Sequence, residues 1–220
     1  VRLLSVNVGR PIPNPWKRLA ATGIDKWPVQ GPVAVRAPGP KGTGAVGLSG
    51  DRVYDVKHHG GDDQAVYAYA REDLDRWEKE LGRSLASGCF GENLTTTGYD
   101  VNAALIGERW RVGTAGPLLE VSCPRLPCAT FAGWLDEHGW IRRFTAGALP
   151  GPYLRVIEPG ELAAGDTVEV VDRPAHRVTV ALAFRAMTAE PDLLPELLAA
   201  DALPAEDLRT IRKRLAGNRS

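Results

Sequence analysis

Cys128 is the residue in this chain best placed to do chemistry. In Pro117-Leu118-Leu119-Glu120-Val121-Ser122-Cys123-Pro124-Arg125-Leu126-Pro127-Cys128, alternating Leu119 and Val121 predict a half-buried strand. Two prolines then stop the ladder, because neither has an N–H to donate. The strand thus delivers Cys128 into a stiff turn with Arg125 three residues upstream. A guanidinium that close favours the thiolate, the form that attacks electrophiles or binds a soft metal. The same stretch, taken alone, fits a buried cysteine at a strand end equally well.

Three other stretches carry polar or glycine chemistry. His58-His59-Gly60-Gly61 pairs histidines with glycines that let backbone N–H groups come close to a ligand, or it is a polar turn between strands. Asp51, Asp55, His58 and His59 are conceivable zinc ligands, but no C-x-x-C accompanies them and neighbouring histidines point apart, so zinc is not expected. Lys26, in Thr22-Gly23-Ile24-Asp25-Lys26, is a cation in apolar surroundings, either anion-binding or a solvated loop residue. Asn93, in Phe90-Gly91-Glu92-Asn93-Leu94, could bond the edge of a heterocycle or tie down its own turn.

The elements that must position these residues are short strands. Leu4, Val6 and Val8 begin the first, expected to end at Gly9-Arg10-Pro11, and Pro11 to Pro32 reads as a long surface excursion. Further strands are expected around Val33, Trp110 and Val112, Tyr153–Ile157, Val168 and Val170, and Val178-Val180-Leu182. Glu72–Leu81 predicts a helix with Leu74, Trp77 and Leu81 inward and Gly82 as its stop. Phe131, Trp134 and Leu135 sit at short-helix spacing. From Thr188 the pattern is helical, with acidic Glu206 and Asp207 at the start of the last helix and Arg212-Lys213-Arg214 near its end, as the helix dipole favours. Strand–helix alternation is missing, so the expected fold is mainly β with helices: a closed, Greek-key-like β-barrel over residues 1–172, with a strand, linker and small helical domain over 173–220.

The 24 glycines and 17 prolines fit that many turns, and 220 residues suffice for one good core. Net charge is zero and mixed, so neither nucleic acid nor a membrane surface is expected as partner. No apolar run approaches a membrane span, and the first residues enter a strand pattern directly rather than an apolar leader. Three cysteines without a framework of spacings fit reduced thiols in a cytoplasmic protein.

In order along the chain, Thr22-Gly23-Ile24-Asp25-Lys26, Pro28-Val29-Gln30-Gly31-Pro32-Val33, Gly47-Leu48-Ser49-Gly50-Asp51, Asp55, His59-Gly60-Gly61, Phe90-Gly91-Glu92-Asn93-Leu94, Pro124-Arg125-Leu126-Pro127-Cys128, Pro150-Gly151-Pro152-Tyr153-Leu154-Arg155-Val156 and Gly165-Asp166 resemble the MOSC-domain family, of the YiiM-like kind with a C-terminal three-helix (3-alpha) domain. The resemblance implies a barrel that binds a mononuclear molybdenum cofactor, a pterin dithiolene with a terminal phosphate, with Cys128 in the place of the family's metal-ligating cysteine. It implies reduction of N-hydroxylated compounds, hydroxylamino-purine base analogues among them, to amines, with electrons from a separate reductase; other MOSC domains are linked to sulfur delivery. Pyridoxal phosphate is not expected. Cys123 stands where relatives often have Gln, and Asp62-Asp63-Gln64 where a Pro-Asp-Lys type sequence is common, which removes a cation.

On this basis Cys128 is the expected metal ligand and His59 the expected proton donor, since imidazole titrates in the working range. Lys26 and Arg125 would hold the phosphate or developing charge, Gly60 and Gly61 would offer backbone donors, and Asn93 would meet the pterin edge. A persulfide carrier using Cys128 and a non-catalytic pterin- or partner-binding module are the rival classes. The helical tail could dock the reductase or a second copy of the chain, giving a homodimer.

Overall fold

The structure, a computed structural model, describes residues 1–217. Its first two strands, β1 (Arg2–Asn14) and β2 (Leu19–Pro28), form a long antiparallel hairpin where a surface excursion was expected. Beyond Val6, β1 has a ladder only on its β2 side. Pro11 and Pro13 therefore sit where no second ladder needs their N–H, and the register breaks around both. The hairpin carries Lys26 into the protein instead of leaving it on a loop.

The strands that follow are β3 (Val33–Val35), β4 (Val66–Ala70), β5 (Leu94–Thr97), β6 (Arg109–Val112), β7 (Leu118–Pro124), β8 (Pro152–Glu158), β9 (Gly160–Leu162) and β10 (Val168–Asp172). Eight of the described strands form one mixed sheet in the order β10-β6-β7-β8-β4-β5-β1-β2, with β4 and β5 parallel; β3 and β9 pair separately. A closed barrel is not what this order shows. The start of β1 does meet the turn leading into β10: Leu3 N–H bonds Asp166 O at 2.9 Å and Gly165 N–H bonds Leu3 O at 2.7 Å. The isolated bridge Arg2–Thr167 and a Val168 N–H bond to Val1 O at 3.1 Å join the two there, but the chain is still turning at Gly165-Asp166 and too few residues run alongside for a ladder.

The helices are α1 (Arg71–Leu81), α2 (Ala129–Leu135), α3 (Trp140–Gly147), α4 (Val180–Thr188) and α5 (Ala205–Gly217), with a 3-10 helix at Pro191–Ala199 between the last two. In α1, Leu74 and Trp77 are buried and Gly82 takes the left-handed stop conformation, φ 67°. The expected strand at Val178-Val180-Leu182 is instead the start of α4. Thr179 caps it by accepting the Leu182 N–H at 3.0 Å, and burial of Val180, Ala183 and Phe184 follows the helical period rather than alternation. Sheet residues such as Leu119, Val121 and Leu154 share one apolar cluster with Ala183, Leu197, Leu203 and Ile211, so the core runs across the point where β10 ends.

A second, aromatic cluster underlies the cysteine. Phe131 of α2 meets Phe90 and Phe144 edge-to-face, with ring centres 5.1 and 5.2 Å apart, and Trp140 closes over them. Each such pair contributes roughly 0.5–1.5 kcal/mol beyond its area. This packing fixes α2, and with it the residue at its N-terminal end.

Candidate functional site

That residue is Cys128. β7 ends at Pro124, Arg125 N–H bonds Gly151 O at 3.1 Å, and Cys128 takes an extended conformation (φ −128°) immediately before α2. Arg125 does not reach for solvent. Its guanidinium lies over the Phe131 ring at 3.6 Å and Tyr67 at 5.1 Å, and donates to Phe90 O at 2.9 Å. A cation held this way between aromatic faces keeps its charge next to the sulfur. His59 approaches from the other side. Burial pushes the Cys128 thiol up, but a hydrogen bond from His59, the charge of Arg125 and the Phe131 N–H outweigh it and hold the pKa down at about 6.

Cys89 and Cys123 behave oppositely: burial pushes both thiols up, Cys123 to about 12. Cys123 is a small buried side chain whose neighbour Ser122 places its Oγ 3.7 Å from the sulfur. Mass-resolved iodoacetamide labelling checks this contrast. Cys128 should label with a midpoint near pH 6 while the other two stay silent to about pH 8, and His59→Asn should move the midpoint up towards about 8.5, the ordinary thiol value.

Two clefts meet at the sulfur, and Cys128, His59, Gln64 and Tyr153 border both. The first is about 880 Å³ counting its open mouth, within the range of about 300–1,000 Å³ usual for small-molecule sites. Lys26, Asp51, Arg125, Gly60 and Asn93 all line it. Lys26 is not a free cation there: its ammonium donates to Asp51 Oδ1 at 2.6 Å. Burial opposes ionisation of Asp51, yet Lys26, Asn93 and the Gly9 N–H hold its carboxyl below the ordinary carboxylate value.

Asn93 is spent inside the protein as well. Its Nδ2 donates to Asn7 O at 3.2 Å and to Asp51 Oδ2 at 2.8 Å, and its Oδ1 accepts from Tyr67 N–H at 3.1 Å. It props Asp51 and joins β1 to β4 instead of presenting a free edge. Gly60 (φ 83°) borders the cleft, whereas Gly61 (φ 77°) lies against the Lys41 backbone, whose nitrogen a Cβ there would meet at 2.8 Å. The histidines diverge: His58 Nδ1 pairs with Asp55 at 2.8 Å while His59 faces Cys128. Burial would raise the Asp55 carboxyl, but Lys17 and His58 hold it down at about 2. Among the described residues no three His, Cys, Asp or Glu side chains gather as metal ligands.

Sequence reasoning did not single out Asn14, Gln64, Tyr153 or Asp207 as site residues. Asn14 borders the first cleft, but its Oδ1 is buried away from solvent with no hydrogen-bond partner. Asp207 borders the second cleft from α5, some 80 positions from Cys128 in the chain, so only tertiary folding reveals it.

Fold and site together define a class. The MOSC-domain model matches residues 55–169, and the chain belongs to the MOSC-domain family. Within it the chain is a YiiM-like protein. It is 33% identical over 176 residues to Protein YiiM of Escherichia coli, covering 77% of each chain, and 31% identical over 185 residues to the uncharacterized protein YflK of Bacillus subtilis, covering 83% of this chain and 79% of that one. A protein of Gibberella moniliformis named a reductase is 30% identical over 173 residues, which span 77% of this chain and 30% of that protein. The crystal structure of YiiM from Geobacillus stearothermophilus matches with a TM-score of 0.77 and 29% identity, over 97% of this chain and 98% of that one. No helix of the described residues is long and apolar enough to cross a membrane.

Proposed function

We propose that this protein is a molybdenum-cofactor-dependent reductase that converts N-hydroxylated compounds to amines. One observation carries the reading: the single depressed thiol of the chain stands at the junction of two clefts. A soft thiolate and a charge-retaining guanidinium beside it suit a sulfur-ligated metal with an anionic organic ligand. The relative named a reductase and the YiiM-like family support the same class.

When bound, the molybdenum cofactor supplies two-electron redox chemistry at a metal already held by sulfur. The chain's own residues hold and tune it. Cys128 Sγ would be the protein ligand, and Arg125 keeps that sulfur ionised by charge. Gly60, with no Cβ, leaves its backbone open to the cleft, and Lys26 retains one ammonium hydrogen beyond those facing Asp51 for an anionic group. His59, within hydrogen-bonding reach of the sulfur, is the residue placed to give a proton to the departing oxygen of R–NHOH. The overall change is R–NHOH plus two electrons and two protons to R–NH₂ and water, with the electrons from a separate reductase.

Protein made in a cofactor-producing host tests this. Wild type should carry about one molybdenum per chain and reduce hydroxylamines with a chemical reductant. Cofactor-free protein bearing labile sulfur on Cys128 from that host would replace this reading with sulfur carriage.

A further inference from the structure

The β1–β2 hairpin does more than carry Lys26 inward. Beyond Val6 it is laddered only to itself, at the end of the sheet, so the sheet does not fix its far end, residues 14–18. That tip is spent instead on the two segments that meet at the Cys128 sulfur. One contact runs to α2, the helix that Cys128 precedes. The Trp16 indole lies against Gly133, where a Cβ would overlap ring atoms Cγ and Cδ1, and Asn14 Nδ2 donates to Thr130 Oγ1 at 3.3 Å. Glycine is a poor helix former, so its place in this short helix fits the need to seat the ring. The other contact runs to the turn that bears His59. Lys17 Nζ donates to Asp55 Oδ2 at 2.8 Å, and the Asp55 carbonyl accepts the His58 and His59 N–H groups at 3.1 and 2.9 Å. Asp55 Oδ1 pairs with His58 Nδ1 at 2.8 Å, while His59 faces the sulfur.

We propose that the hairpin tip assembles the His59–Cys128 pair: Lys17, acting through Asp55, is a positioning residue for His59, and Trp16, seated on Gly133, holds the helix that follows Cys128. The inference needs only the pair, so it goes beyond the reductase reading and stands or falls separately from it. A hydrogen bond to sulfur depends on distance and direction, and a turn left to drift would lose the thiolate its partner. Asp55 is held at both carboxylate oxygens and at its carbonyl, which leaves the turn little freedom. The two members of the pair come from stretches far apart in the chain, and the tip touches both.

The test is the rate of Cys128 alkylation by iodoacetamide at pH 7 in the full chain prepared without cofactor, read by mass on the Cys128 peptide. Charge and position give opposite signs at Asp55. By charge alone, removing a carboxylate near a thiolate speeds alkylation; by position, Asp55→Ala releases the turn and slows it about fivefold. Lys17→Met should slow it similarly, and Lys17→Arg, which keeps the ion pair, should restore most of the rate. In a His59→Asn background the Lys17 and Asp55 changes should add nothing, since they act through that ring. Gly133→Ala favours the helix but displaces the indole, so it too should slow alkylation. Lys17 is part-exposed, so Lys17→Met should melt near wild type, which separates a released turn from misfolding. Faster alkylation in Asp55→Ala, unchanged rates in both single variants, or a Lys17→Met effect that survives without His59 would each overturn the inference. These rates are read without cofactor, so they leave the reductase reading to its own test, molybdenum content.

Discussion

Replacing Cys128 by serine should reduce molybdenum to background in protein from a host where wild type carries about one atom per chain. Serine keeps the size and shape of the side chain, so α2 and the Phe90–Phe131–Phe144 packing beneath it persist and the melting profile should move little. The ligand chemistry does not persist. A hydroxyl is hard and un-ionised at neutral pH, whereas a thiol with its pKa near 6 is ~90% thiolate at pH 7, against a few per cent for one at about 8.5. The sign follows from the depressed value: thiolate is fully available above the ordinary thiol pKa and is lost as pH falls through about 6, so cofactor retention should weaken below that point. His59→Asn should bring the loss to higher pH, because one of the groups holding the thiol down is gone. Full molybdenum in the serine variant would remove Cys128 from the metal and end the reductase proposal in this form.

The thiolate was legible in part, because Arg125 and the Phe131 N–H lie within three positions of Cys128; the largest group holding the thiol down, His59, comes from a distant stretch and only folding places it there. Short-range periodicity sufficed for α1, where Leu74 and Trp77 repeat at helical spacing. It failed where a pattern serves two structures: Val178, Val180 and Leu182 alternate as a strand would, but Thr179 is an N-cap and the decisive burial of Ala183 and Phe184 lies further on. The β1–β2 hairpin was hidden by its prolines, which argue against a strand until β1 is seen to have a free side. The polar groups of the site were harder still. Lys26, Asp51 and Asn93 look like three separate binding residues in one dimension, yet in space they satisfy each other, and no spacing rule reports that. Asp207 and Gln64 show the converse, since their meeting at the cleft beside Cys128 is visible only once the chain has folded.

That mutual satisfaction makes Asp51→Ala the most destabilising single change expected around the first cleft. Asp51 is buried, accepts from Lys26, Asn93 and the Gly9 N–H, and lies between the β1–β2 hairpin and β5. Truncating it strands the Lys26 ammonium, whose side chain is 9% exposed, and leaves two further donors unpaired. Breaking one half of a buried pair costs about 3–5 kcal/mol, a large part of a domain's total stability, and a urea midpoint would show it at once. The pH dependence gives a second readout. Asp51's carboxyl is held below its ordinary value, so its contribution is complete above about pH 4 and disappears as pH falls through the depressed folded-state value; acid unfolding should begin at higher pH in the variant than in wild type. Removing both charges in Lys26→Met/Asp51→Leu should recover much of the loss, because an apolar pair carries no unpaired charge. A single alanine variant within about 1 kcal/mol of wild type would mean that Lys26 finds water through the cleft mouth, and that the pair is a surface ion pair rather than the strut holding the hairpin to the sheet.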